Sequence, residues 1–527
     1  MLRARTCLGG MVTAPHHLAA EAGADILRDG GNAIEAMVAA AATIAVVYPH
    51  MNSIGGDGFW LIARPGEAPV AIRACGQAAG LATPAYYREH GRDEIPARGG
   101  LAALTAAGAI GGWAEALRVA AEAGGRMALS RLLADAIAHA RSGVPVTASQ
   151  ERLTREKWSE LESVTGFRAT YASNGMPREG KVLKQLALAQ ALEQLARAGL
   201  DDFYRGDLAR VLAKGLEDAG SPLRLADLEG YRARRVEPAK VELDAGDVFN
   251  MPPPTQGVAS LMILALFERL GVREADGFSH IHGLVEATKR AFILRNRYVG
   301  DPDRMGEVWK TWLDDAVLDA EAGAIDPQRA APWPHVARAG DTIWMGAADS
   351  RGIVCSYIQS IFWEYGSGVV VPGTGVVWQN RGASFTLGDG PNALAPGRLP
   401  FHTLNPALAR LTDGRTLAYG TMGGEGQPQT QAAIFTRHVM FGQDMQQAVT
   451  APRWLLGRTW GATSTNLKLE SRFDAAVVEA LVAAGHDVEI VDGFDDMMGH
   501  AGMVAIGRDG VISGASDPRA DGAATGI

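Results

Sequence analysis

The chain has 527 residues, but its Pro- and Gly-rich interruptions are short and none resembles a long tether, so one large compact unit is expected. Hydrophobic residues make up 47% and charged residues 21%, ordinary for a globular enzyme with an ample core. A net charge of −9 leaves no basic surplus for phosphate or an anionic bilayer, which argues against nucleic acid or membrane as a partner.

Three cysteines, Cys7, Cys75 and Cys355, have no metal-ligand spacing and cannot all pair, so a reducing, cytoplasmic setting without a metal or cofactor is the expectation. The start has no apolar stretch of the secretory kind before Pro15-His16-His17, and the longest apolar run, 36–48, is too short to span a bilayer.

In chain order, a helix is expected over 18–28, stopped by Gly30-Gly31. Asn32 then opens a second helix over 33–47, with Glu35 placed to complete a capping box. Small apolar residues on nearly every face of that helix predict burial between layers. After Pro49 the turn Ile54-Gly55-Gly56-Asp57-Gly58 leads into a buried strand over 59–63.

From 102 to 240 the periodicity is mostly helical, and it continues through 258–270 and 281–298 beyond the Pro-rich 251–254. At 326–340 the composition shifts to Pro, Ala and Arg, as in an exposed loop. Beyond it, 343–348 and 353–361 alternate as a hairpin about Asp349-Ser350-Arg351-Gly352. Further strands are expected at 375–378, 404–410, 416–419, 488–491 and 503–506, with helices at 428–441 and 473–484.

The chemistry gathers at Gly340-Asp341-Thr342, where the loop meets the hairpin. A hydroxyl is a poor nucleophile, but a threonine freed at a new N-terminus carries its own base, an α-amine with a pKa near ~8. Before that, the same hydroxyl can attack the Asp341 carbonyl and release the terminus by acyl shift and hydrolysis. A four-residue turn would set Thr342 opposite Gln359; a one-residue slip makes Ser360 its neighbour. Gly420-Thr421-Met422-Gly423-Gly424 lies between a strand and a helix start, where the backbone N–H groups of Gly423 and Gly424 can hold an oxyanion. Taken alone, Gly-Asp-Thr is common and most glycine clusters are only turns. His16, His17, His50 and His402 read as packing or capping residues, and Cys355 as a core residue.

Motifs along nearly the whole chain, in order, resemble the γ-glutamyltranspeptidase family of N-terminal-nucleophile hydrolases. They are Met11 to His16, Gly30 to Ala33, Tyr48-Pro49-His50, Gly55 to Phe59, Met251 to Gly257, Asp301-Pro302, Gly340-Asp341-Thr342, Pro391-Asn392, Gly423-Gly424 and Ser516-Asp517-Pro518-Arg519. The resemblance implies an α+β fold, the four-layer αββα sandwich with a helix-rich large subunit. It also implies autocleavage between Asp341 and Thr342 into a large subunit, 1–341, and a small subunit, 342–527, that stay together. A dimer of such heterodimers is left open. By position Thr342 matches the nucleophile, Ser360 its supporting hydroxyl, and Gly423 and Gly424 the oxyanion glycines.

Members that bind γ-glutamyl groups hold the α-carboxylate with an arginine where this chain has Cys75. They hold the amino group with amide and acidic residues where it has Phe362, Arg381 and Ser384, and His402-Thr403 replaces their serine pair. An ammonium beside Arg381 would be repelled, so a small unaminated acid is the expected substrate, gripped by Arg381 and His402. The segments 379–382 and 400–404 resemble a subgroup with oxamate amidohydrolase and certain acylases. That likeness implies hydrolysis of a small carboxylic-acid amide, oxamate to oxalate and ammonia. A γ-glutamyl hydrolase or transferase, a glutaryl acylase, and an uncleaved binder of small acids are the alternatives.

Overall fold

The computed structural model describes residues 2–333, 341–457 and 465–527; Gly340 lies outside the described residues, as does the side chain of Asp341. Fourteen strands build two sheets. They are β1 (Arg5–Cys7), β2 (Gly10–Ala14), β3 (Asp57–Ala63), β4 (Val70–Ala74), β5 (Arg234–Val236), β6 (Ala239–Leu243), β7 (Gly246–Asn250), β8 (Asp341–Asp349), β9 (Val354–Phe362), β10 (Ala407–Leu411), β11 (Thr416–Gly420), β12 (Gly502–Ile506), β13 (Ile512–Ser516) and β14 (Ala523–Gly526). One sheet has the order β1-β13-β12-β11-β10-β7-β6 and the other β14-β2-β8-β9-β3-β4-β5, each seven-stranded and antiparallel throughout.

Alternate side chains of each strand face opposite ways, so every strand feeds two cores. Between the sheets lie Met11, Phe59, Leu61, Trp344, Ile358, Leu408 and Val504. Outside the second sheet, Ile343, Met345, Cys355 and Tyr357 pack on α1 (His17–Arg28), α2 (Ala33–Val47) and α3 (Ala109–Glu122). Outside the first, Val248, Ala409 and Tyr419 pack on α4 (Gly257–Arg269), α5 (Phe278–Tyr298) and α6 (Gln427–Phe435). The layers therefore run helix, sheet, sheet, helix, the αββα sandwich.

The local signals of α2 hold: Asn32 accepts from the Ile34 and Glu35 amides while Glu35 accepts from Asn32 N at 2.8 Å, and all fifteen residues of the helix are buried. The mostly helical reading of 102–240 holds up to its end, where β5 and the start of β6 replace helix, while β1, β2, β4 and β7 lie outside that range and were not expected as strands. In β6, for example, Ala239, Val241 and Leu243 are buried while Lys240 and Glu242 are exposed, a two-residue period hidden in helix-like composition. No described helix is long and apolar enough to cross a membrane.

Candidate active site

The hairpin β8–β9 pairs Ala348 with Val354 and Ile343 with Gln359, one residue away from the four-residue-turn register. The turn holds five residues because Asp349 Oδ1 accepts from both Arg351 N and Ile353 N, which closes a wider loop. At the far end Asp341 pairs with Phe362, so Ser360 and Ile361 together face Thr342 across a β-bulge. Thr342 and Ser360 are buried, and Ser360 Oγ accepts from Phe362 N at 2.8 Å.

On the other side of β9, Ser360 pairs with Asp57 of β3. Strand alternation puts Thr342 on the face of Trp344, and puts Ser360 and Asp57 on the faces of Ile358 and Phe59, all lining the space between the sheets. Thr342, Ser360 and Asp57 thus form a row across three adjacent strands at one end of that space. Gly56 makes the row tight, since a Cβ there would fall 2.2 Å from Ser360 O.

The first sheet supplies the opposing wall. The Trp344 indole lies over Gly420, where a Cβ would come within 2.3 Å, so the start of β8 meets the end of β11. The chain then turns left-handed at Gly423 (φ 114) and Gly424 (φ 52) and enters α6. Gln256 Nε2 donates to both Gly424 O (2.8 Å) and Thr403 O (2.7 Å), which joins these two candidate residues. Arg295 in turn donates to Gln256 Oε1 and Glu425 Oε2, each at 2.8 Å. A cleft of about 450 Å³ beside Arg295, Asn392, Phe401 and Glu425 leads up to this wall.

Arg381 opens a short 3-10 turn that ends at Ser384, both buried. Its guanidinium lies over Phe362 and Nη1 donates to Thr403 Oγ1 at 3.3 Å. Among the described residues its Nε and Nη2 have no hydrogen-bond partner, nor do either ring nitrogen of His402 or Asp57 Oδ2. Asp57 Oδ1, by contrast, accepts from Gly76 N, Gly108 N and Gln379 Nε2 at 3.0–3.1 Å.

Burial lifts the Asp57 carboxyl to about 7 against the pull of Arg381 and its hydrogen bonds. It brings Arg381 down to about 9, with Asp57 and Cys75 opposing, and with Arg381 holds His402 well below its ordinary value. Cys75 stands within the field of Asp57 and Arg381 and its thiol is pushed up, mainly by burial.

Contacts thus join Ser360, Phe362, Arg381 and Thr403 in one chain, Gln256 ties Gly424 to Thr403, and Ser384 follows Arg381 on the same turn. Sequence reasoning passed over Asp57, Gln256, Arg295 and Gln379. The signal for Asp57 was a carboxylate inside a glycine turn that enters a buried strand, where an unpaired charge needs a reason. His402 is buried edge-on against Phe59 with Nε2 3.2 Å from Asp57 Oδ2, and His16 caps α1. The tail motif is scaffold: Arg519 is held by Glu470 and Asp517, and Asp517 by Arg453 and Ala501 N. The metal-capable group among the described residues, His282, Glu286 and His486, is paired internally, with Lys289 Nζ on Glu286 at 2.7 Å and His282 on His486 at 2.9 Å.

Residues 19–527 match the family model described as Gamma-glutamyltranspeptidase. The chain is 52% identical over 521 residues to the oxamate amidohydrolase proenzyme of Klebsiella pneumoniae, with 98% of each chain covered. It is 37% identical over 523 residues to the glutathione hydrolase-like YwrD proenzyme of Bacillus subtilis, again with 98% of each covered. The crystal structure of cephalosporin acylase from Bacillus halodurans superposes with a TM-score of 0.92 at 31% identity, covering 100% of this chain and 97% of that one. Sequence match and layer order agree, and the chain belongs to the gamma-glutamyltranspeptidase family of N-terminal-nucleophile amidohydrolases.

Proposed function

We propose that this chain is the precursor of a hydrolase for the amides of small carboxylic acids, with oxamate as substrate and oxalate and ammonia as products. Maturation cleaves the Asp341–Thr342 peptide into 1–341 and 342–527, which remain associated through the shared sheets. In turnover Thr342 Oγ adds to the amide carbonyl while the freed α-amine takes the hydroxyl proton. The N–H groups of Gly423 and Gly424 face the developing oxyanion, and Ser360 orients the nucleophile. The amine returns the proton to the leaving nitrogen, ammonia departs, and water hydrolyses the oxalyl ester.

The observation that carries this reading is the cation at the end of the row: Arg381 is buried over Phe362 with Nε and Nη2 unpaired. Two such N–H groups match a carboxylate fork. An α-ammonium would meet the guanidinium instead, and Phe362 with Trp363 fills the volume a glutamyl chain needs. The name of the 52%-identical relative supports the same substrate, and its designation as a proenzyme supports cleavage. Three free thiols fit a reducing, cytoplasmic setting.

The test is N-terminal sequencing of the purified protein followed by ammonia-release assays on oxamate, γ-glutamyl anilide and a glutaryl amide. A new terminus at Thr342 and turnover of oxamate are expected. An intact chain, or turnover of the γ-glutamyl compound alone, would overturn the reading.

A further inference from the structure

Asp57 Oδ2 and His402 Nε2 lie 3.2 Å apart, fully buried, yet not aligned as a hydrogen bond, and both atoms stay unpartnered beside the unpaired N–H groups of Arg381. In this state the charges offset each other, one guanidinium against one carboxylate. A substrate carboxylate that docks on Arg381 would bring a second anion to a single cation, and a buried charge without a partner is strongly disfavoured. The two orphaned atoms can accept and share a proton, which restores the balance. The carboxyl is already close to titration, since burial has raised it to about 7.

We propose that Asp57 belongs to the substrate site and that, together with His402, it takes up one proton from solvent each time a carboxylate binds against Arg381. This rests on the reading that the site accepts a small carboxylate. The proton comes to lie between Asp57 Oδ2 and His402 Nε2 and leaves when the ligand leaves.

The other titratable groups that face the pair cannot take its place. Cys75, after β4, and Tyr204, Tyr231 and Tyr357 are all held protonated by burial, with Asp57 adding to the effect. Arg73 and Asp301 act on Cys75 from further out, and Asp301 is occupied by Leu399 N and Asp303 N. On the other side of His402 lies the Phe59 ring, edge-on at 4.9 Å. The remaining acceptor is the α-amine that cleavage gives Thr342, and the test separates it.

The probe is pyruvate, the methyl isostere of oxamate, which has no amide to hydrolyse. The mature protein is titrated calorimetrically near ~pH 8 in phosphate and in Tris, whose ionisation heats differ. Uptake of about one proton per pyruvate is expected, with affinity falling about tenfold per pH unit above ~7. In Asp57→Asn, pyruvate should bind without uptake and with little pH dependence.

Uptake that persists in Asp57→Asn would take Asp57 out of the proton site and overturn the proposal; uptake that also persists in Asp57→Asn/His402→Gln would assign the proton to the α-amine. If that variant fails to fold, infrared difference spectra of the wild type decide the point. A carboxylic-acid or imidazolium band on binding is expected, and the absence of both overturns the proposal. Binding of pyruvate by the wild type without uptake sinks the proposal but leaves the substrate reading standing. Failure of both pyruvate and oxamate to bind sinks that reading, and the proposal with it.

Discussion

The guanidinium of Arg381 lies 3.9 Å from the centre of the Phe362 ring, and Phe362 holds this position at a left-handed φ of 83°. A bulky residue in that region costs on the order of 1–3 kcal/mol, so the surrounding bulge must hold it there. Phe362→Leu keeps much of the volume but removes the π face, worth about 2 kcal/mol in a desolvated setting. The expected result is a rise in KM for oxamate on the order of tenfold with kcat little changed, read from steady-state ammonia release.

Arg381→Lys keeps one positive charge and loses the fork that presents Nε and Nη2 together. Hydrogen bonds to a charged group are worth about 1.5–3 kcal/mol. The loss in kcat/KM for oxamate should therefore be on the order of 10- to 150-fold, concentrated in KM. Arg381→Met should lose more, and a variant with unchanged KM would remove Arg381 from the site.

Thr342→Ala lacks the hydroxyl proposed for both maturation and turnover, so denaturing gels should show one chain of 55.6 kDa and no ammonia release. Ser360→Ala removes the oxygen that accepts from Phe362 N, loosening the bulge that faces Thr342. It should still cleave, but with a slower time course on gels and a kcat lower by about tenfold or more.

Gly423 and Gly424 sit at φ 114 and 52, where an added Cβ costs about 1–2 kcal/mol per residue. Gly424→Ala should tilt its N–H away from the proposed oxyanion position and lower kcat by roughly 10²-fold, with KM and melting temperature moving much less.

The buried ion pairs of the tail set the acid limit of stability. Burial works against the ionised form of Asp517, yet Arg453 and Arg519 hold it below the ordinary carboxylate value, and Arg519 and Arg472 do the same for Glu470. Groups depressed in the folded state stabilise it above their unfolded values near ~4, and that contribution fades as pH falls through the folded ones. Denaturant midpoints should therefore drop below about pH 4. Asp517→Asn takes a buried carboxylate from both Arg453 and Arg519, and at neutral pH it should cost about 3–5 kcal/mol and flatten the acid limb.

Much of the local structure was legible from residues three or four apart, or from alternation. Asn32 and Glu35 announce the start of α2, and the hairpin around Asp349 is visible on either side of its turn. The hairpin register missed by one residue because Asp349 caps its own loop through side-chain hydrogen bonds, which alternation does not encode. Of the first-half strands only β3 was legible from the sequence, because short strands such as β1, β5 and β6 owe their state to partners far along the chain.

By itself the sequence determined that Thr342 lies at the start of a strand, that Ser360 lies in the facing strand, and that a glycine turn precedes a helix at Gly423. These are short-range properties, written in period and turn chemistry. Only the tertiary structure decided that Asp57 stands beside Ser360, that Arg381 turns onto Phe362 and Thr403, and that Gln256 and Arg295 hold the Gly424 loop. Those residues are distant in sequence and meet because two sheets close over one buried space, where each unpaired charge must find either a neighbour or a ligand.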